Sequence, residues 1–433
     1  MKRTLICISM LYVQRVTALV LMQGNLGTMH VENQPLGVAL QAFEKYGIEV
    51  WVDESLAEKQ VTGHWDQLPI DRLVAQLAHP HDYMVSWRRM QTPLGALEQL
   101  HRISILSDTP ANQTEWVAPS TRKNLAIAVT QDGQRYVKGE LLIGFQEGST
   151  MRELQALLHA VEGSVISVID PPGLYRIRIS ENLSIEEALT RARLFDGVNK
   201  AELNRAIANQ SMPQIALGSQ VGVNATMRRG EPVVAVLDSG FDPAYTDANI
   251  LVGYYDVIDP EAAMHDPTGH GTLVSLVASG AVVPAGEPME SIGTGVLAIR
   301  VFDDQGMTSS AALYEAFNYG IEAGAEVFNI SFGTYEEVGF FDDIMAYADA
   351  YGVQVVVAAG NEAQETSVHP AAHPDTISVG AYTPDGQIAP YSNFGESVDM
   401  YRNGTVMFNG EVHQGTSFAA PRLSYELSQS TQN

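Results

Sequence analysis

The amino-acid sequence predicts an α/β fold in which a parallel sheet flanked by helices follows two small α+β modules. Beyond residue 232, short apolar segments alternate with stretches of helical periodicity, which is typical of a buried parallel sheet. Two earlier segments, residues 28–90 and 135–206, alternate shorter strands and helices between prolines and glycines. The length of 433 residues leaves room for two to four domains at about 150 residues each.

Composition and charge exclude several classes of protein. Hydrophobic residues make up 45% of the chain and charged residues 18%, as in folded globular proteins, and no run of about 18 apolar residues occurs. A disordered chain and a multi-span membrane protein are therefore excluded, and no transmembrane span is expected. Residues 1–214 carry 20 basic and 23 acidic side chains, whereas residues 215–433 carry 5 arginines, no lysine and 28 acidic side chains. This acidity argues against nucleic acid or an anionic membrane as a partner of the second half.

Residues 1–27 predict an export signal, and hence a secreted or periplasmic protein. Lys2 and Arg3 precede the apolar run Leu5–Val13, although two polar residues interrupt the pattern directly after it. A misplaced start codon and a plain N-terminal strand are the alternatives. The single cysteine, Cys7, lies inside this run, so an internal disulfide is impossible.

Residues 28–90 follow the order strand, helix, strand, helix, strand. Pro35 introduces the first helical pattern, Ile48–Val52 alternates like a strand, Pro69 opens the second helix, and Tyr83–Trp87 is strand-like. The phrase "MHVENQPLGVALQAFEKYGIEVWV" and its continuation resemble the short N-terminal domain of secretins and TonB-dependent receptors. That resemblance implies the envelope of Gram-negative bacteria. A packing module without a ligand is the alternative.

Residues 91–134 are polar, contain three prolines and predict a linker. Residues 135–206 then predict the second module, whose strands and intervening helices favour a ferredoxin-like β-α-β layout. The predicted elements are the strand in "YVKGELLIGF", the helices Met151–Val161 and Ile185–Leu194, and the strands Ser164–Ile169 and Leu174–Ile179.

Three phrases of this second module, "GELLIGF", "GLYRIRI" and "GVNKAELN", resemble the propeptide of subtilisin-like proteases. The resemblance implies that the module assists folding and blocks the active-site cleft as an intramolecular inhibitor. Another small α/β module is the alternative, but its position directly before the main domain favours the propeptide. Residues 207–232 have little periodicity and predict a cleavable connector that includes the start of the main domain.

Residues 233–433 predict the main domain. The expected strands are Val233–Leu237, Val296–Val301, Val327–Ser331, Val353–Ala358 and Thr376–Val379, and the expected helices are Thr272–Ser279, Ser309–Ala323 and Phe341–Tyr351. Catalytic and ligand-binding groups of such sheets gather at the carboxyl ends of the strands.

Four residues of the main domain are candidates for catalysis. Asp238 follows an apolar strand, and His270 lies between two glycines as a candidate general base. Ser417 opens a helix of small residues, where free N–H groups and the helix dipole would stabilise an oxyanion. Asn361 follows another strand and can donate a side-chain hydrogen bond. Taken singly, each could be a turn, structural or capping residue.

The motifs "DSG", "GHGT", "AAGN" and "GTSFAAP" occur in the order and roughly the spacing of the subtilisin-like serine proteases, which the region 215–433 resembles. The resemblance implies a subtilisin-like parallel sheet and an Asp-His-Ser triad. Asp238 would orient the imidazole, His270 would act as general base and acid, and Ser417 would be the nucleophile. Asn361 and the backbone N–H of Ser417 would form the oxyanion hole.

The same resemblance predicts the substrate cleft. The phrase "FNISFG" matches the family's substrate-pairing strand, and "HPAAHP" matches its pocket loop, so the histidines of the latter, His369 and His373, are not expected to bind zinc. The residues expected to flank the first pocket are Ser331, Phe332, Gly333, Ala358, Ala359 and Gly360.

No cofactor is required by this chemistry, but calcium is possible because family members often bind it. Four carboxylates on predicted loops could contribute to the six to eight oxygen ligands of Ca²⁺. They are Asp242, Asp256, Asp259 and Asp266.

The match to the family weakens at the C-terminus. Leu273 and Ser275 replace the usual histidine and alanine of the "HGT" helix, at positions that are not catalytic. Only 16 residues follow Ser417, and the expected helix meets Pro421 in its first turn, where proline is tolerated. Relatives continue with elements that cover this helix, so exposed apolar surface is expected here unless another part of the chain covers it.

Two hypotheses about function follow. The first is a serine endopeptidase made as a zymogen, which hydrolyses protein or peptide substrates through an acyl-enzyme and cleaves itself within residues 207–220. The second is a catalytically silent envelope protein that binds peptides or a partner through the cleft or the N-terminal module.

Overall fold

A computed structural model describes most of the chain outside its N-terminus and two long internal segments. The described residues are 19–23, 26–43, 48–52, 54–106, 124–170, 172–209, 213–217, 233–248, 250–260, 262–288, 293–336 and 339–430. Residues 1–18 of the predicted export signal lie outside these residues, whereas Leu19–Gln23 forms a strand, as the alternative of a plain N-terminal strand implies for that stretch. They form two compact units, one drawn from residues 1–116, 143–168 and 175–201, and the other from residues 117–142, 169–174 and 202–433.

The N-terminal module contains the predicted helices and strands and several more strands. Its elements are β1 (Leu19–Gln23), β2 (Leu26–Pro35), α1 (Leu36–Gln41), β3 (Glu49–Val52), α2 (Glu54–Ala57), β4 (Gln60–Pro69), α3 (Ile70–Ala78), β5 (Asp82–Thr92) and β6 (Gly95–Leu106). They form one sheet in the order β1-β2-β4 and another in the order β3-β6-β5. Met29, Leu40 and Ile103 are among the buried residues of the core of this module.

The predicted linker is wrong at its start, because β6 continues the module to residue 106. Leu100, Ile103 and Ile105 of this strand are buried, while the polar residues between them hide the alternation in the sequence. β4 was not expected either, since its side chains are mostly polar and only partly buried.

The second module has all the predicted elements. They are β7 (Ile127–Val129), β8 (Arg135–Phe145), α4 (Met151–Ala160), β9 (Ser164–Ile169), β10 (Leu174–Arg178), α5 (Ile185–Arg193) and β11 (Val198–Ala208). A capping box of Thr150 and Glu153 begins α4, and the side chain of Ser184 accepts a hydrogen bond from Glu187 N–H to begin α5. β7 lies within the predicted linker, so the linker is also wrong at its end.

The main domain is built on a parallel sheet. Its elements are β12 (Val233–Asp238), a 3-10 helix (Pro243–Ala248), β13 (Leu251–Asp256), α6 (His270–Ala278), β14 (Gly295–Arg300), β15 (Met307–Ser309), α7 (Ser310–Glu322), β16 (Val327–Ile330), α8 (Phe340–Ala350), β17 (Gln354–Ala358), β18 (Ile377–Tyr382), β19 (Met400–Asn403), β20 (Thr405–Phe408), β21 (Glu411–Gln414) and α9 (Thr416–Ser430). The sheet order is β13-β14-β12-β16-β17-β18-β19, with every pair parallel. The predicted strands and helices of this domain are confirmed within one or two residues at each end, except that β18 continues three residues beyond the predicted end at Val379. The edge strands β13 and β19 were not predicted.

Both faces of the main sheet are covered, which explains its fully apolar strands. One core cluster, which includes Phe317, Phe328 and Ile344, brings together residues of the sheet with residues of α7 and α8. The other core cluster, which includes Val274 and Phe418, brings together residues of the sheet with residues of α6 and α9. The helices that carry the "GHGT" and "GTSF" motifs therefore share one face of the sheet.

The apolar side chains of α9 are covered, which is the second of the two outcomes expected for this helix. Among the described residues, none of the large apolar side chains of α9 is exposed. Arg422 of this helix is buried and pairs with Glu287 at 2.9 Å and with Glu426 at 3.4 Å. Glu426 also accepts a hydrogen bond from Arg402 at 2.7 Å.

Among the described residues, no helix combines the length and the hydrophobicity needed to cross a membrane.

Candidate active site

The first candidate residue, Asp238, is the last residue of β12 and is buried. Its Oδ1 atom accepts hydrogen bonds from the backbone N–H of Ser239 and from His270 Nδ1, both at 2.8 Å. The chain then turns sharply at Gly240, whose φ of +132° favours glycine. A Cβ atom at Gly240 would also overlap the carbonyl oxygen of His265. This turn leaves the carboxylate at the edge of the sheet, as predicted.

His270 begins α6, and both neighbouring glycines are required by close contacts. Gly269 is the N-cap with a φ of +73°, and a Cβ atom there would overlap the carbonyl oxygen of Ile215. A Cβ atom at Gly271 would lie 2.5 Å from the carbonyl oxygen of Gly240. The imidazole is therefore placed by backbone that approaches more closely than any side chain would allow.

Asp266 holds the start of α6. Its Oδ1 accepts a hydrogen bond from Gly269 N–H at 3.0 Å, and its Oδ2 accepts one from Thr272 N–H at 2.8 Å and one from the Thr272 hydroxyl at 2.7 Å. The hydroxyl of Ser239 donates to Oδ1 at 2.7 Å, so the cap is tied to the turn after Asp238. A carboxylate at this end of a helix is favoured by free N–H groups and by the dipole.

The environment of His270 favours its protonated form. Burial by itself lowers the pKa of this imidazole, but the charge of Asp238, its hydrogen bond and the charge of Asp266 together outweigh burial, and the pKa is raised above the ordinary value. Because Nδ1 bonds to Asp238, Nε2 is the atom available to exchange a proton. Nε2 is buried and has no hydrogen-bond partner among the described residues.

Ser417 lies in the first turn of α9 and is paired with Ser331. Its hydroxyl donates to the Ser331 carbonyl oxygen at 3.2 Å, and the Ser331 hydroxyl donates to the Ser417 carbonyl oxygen at 3.1 Å. That second bond compensates for Pro421, which has no N–H to give to the carbonyl four residues earlier. The proline is therefore tolerated inside the helix because Ser331 replaces the missing donor.

Ser417 and His270 lie in the same part of the domain, although their side chains are not hydrogen-bonded to each other. The ring of Phe418, the next residue after Ser417, lies 5.9 Å from the imidazole of His270. Catalytic hydrogen bonds are often absent in unliganded sites and form only with substrate.

Asn361 is oriented by Thr416. Its Oδ1 accepts hydrogen bonds from the backbone N–H of Thr416 at 2.8 Å and from its hydroxyl at 3.0 Å. A backbone N–H can only donate, so the side-chain amide must present its nitrogen on the other side. A point at the Cβ position of Gly415 lies 3.7 Å from Asn361 Nδ2 and from Ser417 N, and 3.8 Å from Asn361 Oδ1. Both predicted oxyanion donors therefore lie close to Gly415.

The loop that carries Asn361 is fixed from behind by Asn393 and Glu362. Asn393 is fully buried, and its side chain donates to the Ala359 carbonyl oxygen at 3.0 Å and accepts from Glu362 N–H at 3.1 Å. Glu362 in turn accepts from Asn361 N–H at 2.8 Å and from the Tyr335 hydroxyl at 2.6 Å. Asn393 lies in the segment "SNFG", far along the chain from Asn361, so this support comes from a separate loop.

The predicted cleft residues lie at or just after the ends of β16 and β17, but not all of their side chains are free to contact a substrate. Phe332 is buried and its ring packs edge-on against Phe302 at 4.7 Å, so this side chain belongs to the core. Gly333 leaves no room for a side chain, because a Cβ atom would overlap Val368. Ala359 N–H bonds to the Val379 carbonyl oxygen at 2.9 Å. The role of these segments in substrate binding stays a prediction.

Two of the four carboxylates suggested for calcium are fully engaged by protein groups. Asp266 caps α6, and both oxygens of Asp256 accept hydrogen bonds from Arg300, at 3.1 and 2.9 Å, in a buried ion pair. Within the described ranges, no group of three or more histidine, cysteine, aspartate or glutamate side chains is arranged to hold a metal ion. The calcium hypothesis is wrong for Asp256 and Asp266 and stays a prediction for Asp242 and Asp259.

The geometry defines a class of protein. A buried aspartate bound to a histidine, a serine on a nearby helix N-terminus and an amide beside that serine together form the constellation of a serine hydrolase. Residues 229–432 match the model of the Subtilase family, and residues 122–204 match the model of the Fervidolysin N-terminal prodomain. Residues 229–432 thus form a domain of the subtilase family, preceded by a fervidolysin-like prodomain. The resemblance of residues 28–90 to secretin and TonB-receptor domains stays a prediction.

Relatives and a solved structure agree with this assignment. The thermophilic serine proteinase of Bacillus sp. (strain AK1) is 26% identical over 328 residues, which cover 69% of this chain and 79% of that protein. Subtilisin amylosacchariticus of Bacillus subtilis subsp. amylosacchariticus is 28% identical over 201 residues, which cover 44% and 53%. The chain therefore spans about half the length of that subtilisin. Fervidolysin from Fervidobacterium pennivorans has the same fold, with a TM-score of 0.54, 20% identity, and coverage of 73% and 59%.

The first prediction concerns the charge of Asp238. Because the pKa of His270 is raised and the neutral imidazole is the base, kcat/KM should fall on the acid side with a midpoint above about pH 6.5. Asp238→Asn should lower kcat by roughly 10⁴-fold and move this midpoint downward, since burial then dominates the pKa. The control is Asp242→Asn. The Asp242 carboxylate accepts a hydrogen bond from Ala244 N–H and none from His270, so this change should leave the midpoint in place. An unmoved midpoint in Asp238→Asn would contradict the assignment of His270.

The second prediction concerns the Asn361 amide. Asn361→Ala should lower kcat by roughly 10²–10³-fold with little change in KM, because the lost hydrogen bond forms only with the developing oxyanion. Thr416→Val removes the hydroxyl contact to Asn361 but keeps the N–H contact, so its loss of kcat should be smaller. Steady-state kinetics on a peptide ester would measure both variants. Equal losses in the two variants would argue that Asn361 acts only through Thr416.

Proposed function

We propose that the chain is a serine endopeptidase of the subtilase family made as a zymogen. The observation that carries the proposal is the buried, hydrogen-bonded pair of Asp238 and His270. The Nε2 atom of His270 has no hydrogen-bond partner among the described residues. The imidazole lies near the helix that carries Ser417, with the ring of Phe418 5.9 Å away. Asn361 Nδ2 and the N–H of Ser417 both lie close to Gly415.

These side chains perform acyl transfer in two balanced steps. The Ser417 hydroxyl gives its proton to His270 Nε2 as its oxygen attacks the peptide carbonyl carbon, and the oxyanion accepts hydrogen bonds from Asn361 Nδ2 and Ser417 N–H. The C–N bond breaks as His270 returns the proton to the leaving amine, which leaves an ester on Ser417. Water then attacks the ester by the same proton path, and the carboxylic acid and free serine are regenerated. Asp238 stabilises the imidazolium in both steps.

The prodomain is proposed to act as an intramolecular inhibitor, and its contacts with the main domain support this. β11 pairs antiparallel with β15, with Ile207 opposite Thr308. Next to this pairing, Asn204 is fully buried and its Oδ1 accepts from Ala311 N–H at 3.0 Å and from the Ser310 hydroxyl at 3.2 Å, at the N-terminus of α7. The Asn204 amide donates to Glu140 at 2.9 Å, so a carboxylate reinforces the cap.

The position of the self-cleavage proposed within residues 207–220 follows more closely from the contacts of the segments on either side. Asn209 N–H bonds to the Gly306 carbonyl oxygen at 3.0 Å and extends the strand pairing of the prodomain. Ile215, by contrast, is buried in the main core and its N–H bonds to the Thr268 carbonyl oxygen at 2.7 Å, two residues before His270. One end of the connector thus belongs to the prodomain strand and the other to the mature core. We therefore expect cleavage between Asn209 and Pro213.

Export is proposed from Lys2 and Arg3 ahead of the apolar run Leu5–Val13, all of which lie outside the described residues. The relative named minor extracellular protease Epr of Bacillus subtilis (strain 168), 27% identical over 198 residues, is in keeping with a secreted enzyme. A location in a Gram-negative envelope depends on the resemblance of residues 28–90 alone.

The competing proposal is a catalytically silent envelope protein that binds peptides through the same cleft. It is motivated by the hydrogen bond that directs the Ser417 hydroxyl to Ser331. The two proposals differ in whether Ser417 is nucleophilic.

The third prediction tests the nucleophile directly. A fluorophosphonate probe should label Ser417 stoichiometrically, and Ser417→Ala should abolish labelling, casein hydrolysis and processing, because it removes the proposed nucleophile. The mass of the mature protein should place its N-terminus between residues 210 and 213. A folded, processed protein that does not react with the probe would favour the silent alternative, and normal processing of Ser417→Ala would refute self-cleavage.

The fourth prediction tests the inhibitory contact. Asn204→Ala leaves Glu140 buried without this amide donor and removes an acceptor from the N-terminus of α7, whose N-cap is Ser309, so the cleaved prodomain should dissociate sooner and the lag before full activity should shorten. The matched control is Asn182→Ala, at an exposed asparagine of the same module. Activity would be followed from the moment of cleavage. A lag equal to that of the control would count against the inhibitory role of this contact.

A further inference from the structure

Two histidines meet on the outer face of the N-terminal module. His30 of β2 lies directly opposite His64 of β4 in the antiparallel pairing. The neighbours of His30 in the strand, Met29 and Val31, are fully buried, so the alternation of the strand turns His30 outward. His64 is exposed in the same way along β4. Both imidazoles therefore stand on the solvent side of the sheet.

The two rings point the same nitrogen at a common place. The Nδ1 atoms are 3.2 Å apart and the ring centroids are 5.3 Å apart. Two nitrogens bound to one tetrahedral Zn²⁺ at about 2.0–2.1 Å each are separated by about 3.3–3.4 Å, with ring centroids about 5.2 Å apart. The arrangement is therefore close to that of two imidazoles on one zinc ion.

A direct hydrogen bond between the rings is the alternative explanation. It requires one Nδ1 to carry a proton and the other to lack one, and 3.2 Å is at the long limit for such a bond. Zinc binding does not require the two Nδ1 atoms to differ in protonation, since two neutral imidazoles can both offer a lone pair. Glu32 and Asp66 lie two positions along the strands from the histidines and are also exposed, so the surrounding charge favours a cation.

The pairing of the two strands adds to the case. His30 and His64 lie in a regular stretch that runs from Met29 opposite Trp65 to Val31 opposite Gly63, with an irregular register beyond it on each side. The Thr62 hydroxyl accepts from Asn33 N–H at 2.8 Å. The Thr28 hydroxyl donates to Asp66 at 2.9 Å on the opposite side. Ligands that are already close lose less conformational freedom when they bind a metal.

We propose that His30 and His64 form a two-histidine site for Zn²⁺ on the N-terminal module, with water completing the coordination. The site bridges two strands and would stabilise their pairing. It is independent of the proposed protease activity, because both ligands belong to the first module.

The test uses the full chain carrying Ser417→Ala, which prevents self-cleavage and keeps the module attached. Equilibrium dialysis against Zn²⁺, with metal measured by mass spectrometry, should show one more equivalent bound than in the same protein with His30→Gln or with His64→Gln. Each variant should lose that equivalent, since one imidazole cannot chelate. His159→Gln, at an exposed histidine of α4, is the matched control and should retain it.

Equal zinc in all four proteins would overturn the proposal, and so would a loss confined to one of the two paired variants. X-ray absorption of the unsubstituted module in the Ser417→Ala chain gives a second measurement that needs no histidine variant. It should show two imidazole nitrogens at about 2.0–2.1 Å from the metal at one equivalent of zinc. Fewer than two imidazoles would refute the site.

Discussion

The buried hydrogen bond between Asp238 and His270 is the constraint on which the rest of the main domain depends. A carboxylate and an imidazole taken out of water are costly unless they are paired and held in register. The register comes from backbone contacts: Gly269 and Gly271 allow the chain to approach more closely than a side chain would permit, and Asp266 ties the start of α6 to the turn after β12. The folded protein binds the His270 proton more tightly than the unfolded chain does, so this pair stabilises the fold below about pH 6.5. That contribution is lost as the pH rises through the raised pKa, which is also where the imidazole becomes a base.

The proposed nucleophile and the proposed oxyanion donor are held by the same few contacts. Ser331 and Ser417 exchange hydroxyl and carbonyl hydrogen bonds, and this exchange allows Pro421 inside α9. Thr416 fixes the amide of Asn361 through its backbone and its hydroxyl. A change in either contact would therefore affect both the stability of the helix start and the geometry of acyl transfer.

The uneven charge of the chain is reflected in ion pairs between the prodomain and the main domain. Arg135 and Arg205, from the nearly neutral first half, lie 3.5 and 3.6 Å from the carboxylate of Glu336 in the acidic second half. Such exposed pairs contribute little each. The buried contact of Asn204 with the N-terminus of α7 is the more specific one. Complementary charge and a buried polar cap together suit an inhibitor that must first dock and later leave.

The sequence by itself determined the five inner strands of the main sheet, its helices and the four candidate catalytic residues, because buried parallel strands are uniformly apolar and the motifs are local. It did not determine β4 and β6, whose half-polar patterns conceal buried positions, nor the end of the N-terminal module at residue 106. Only the tertiary structure decided that Asp266 caps α6 rather than serving a metal, that Thr416 orients Asn361, and that His30 meets His64. The physical reason is common to all three. Each depends on a hydrogen bond or a contact whose geometry is set by the folded backbone, and the periodicity of a sequence carries no information about that geometry.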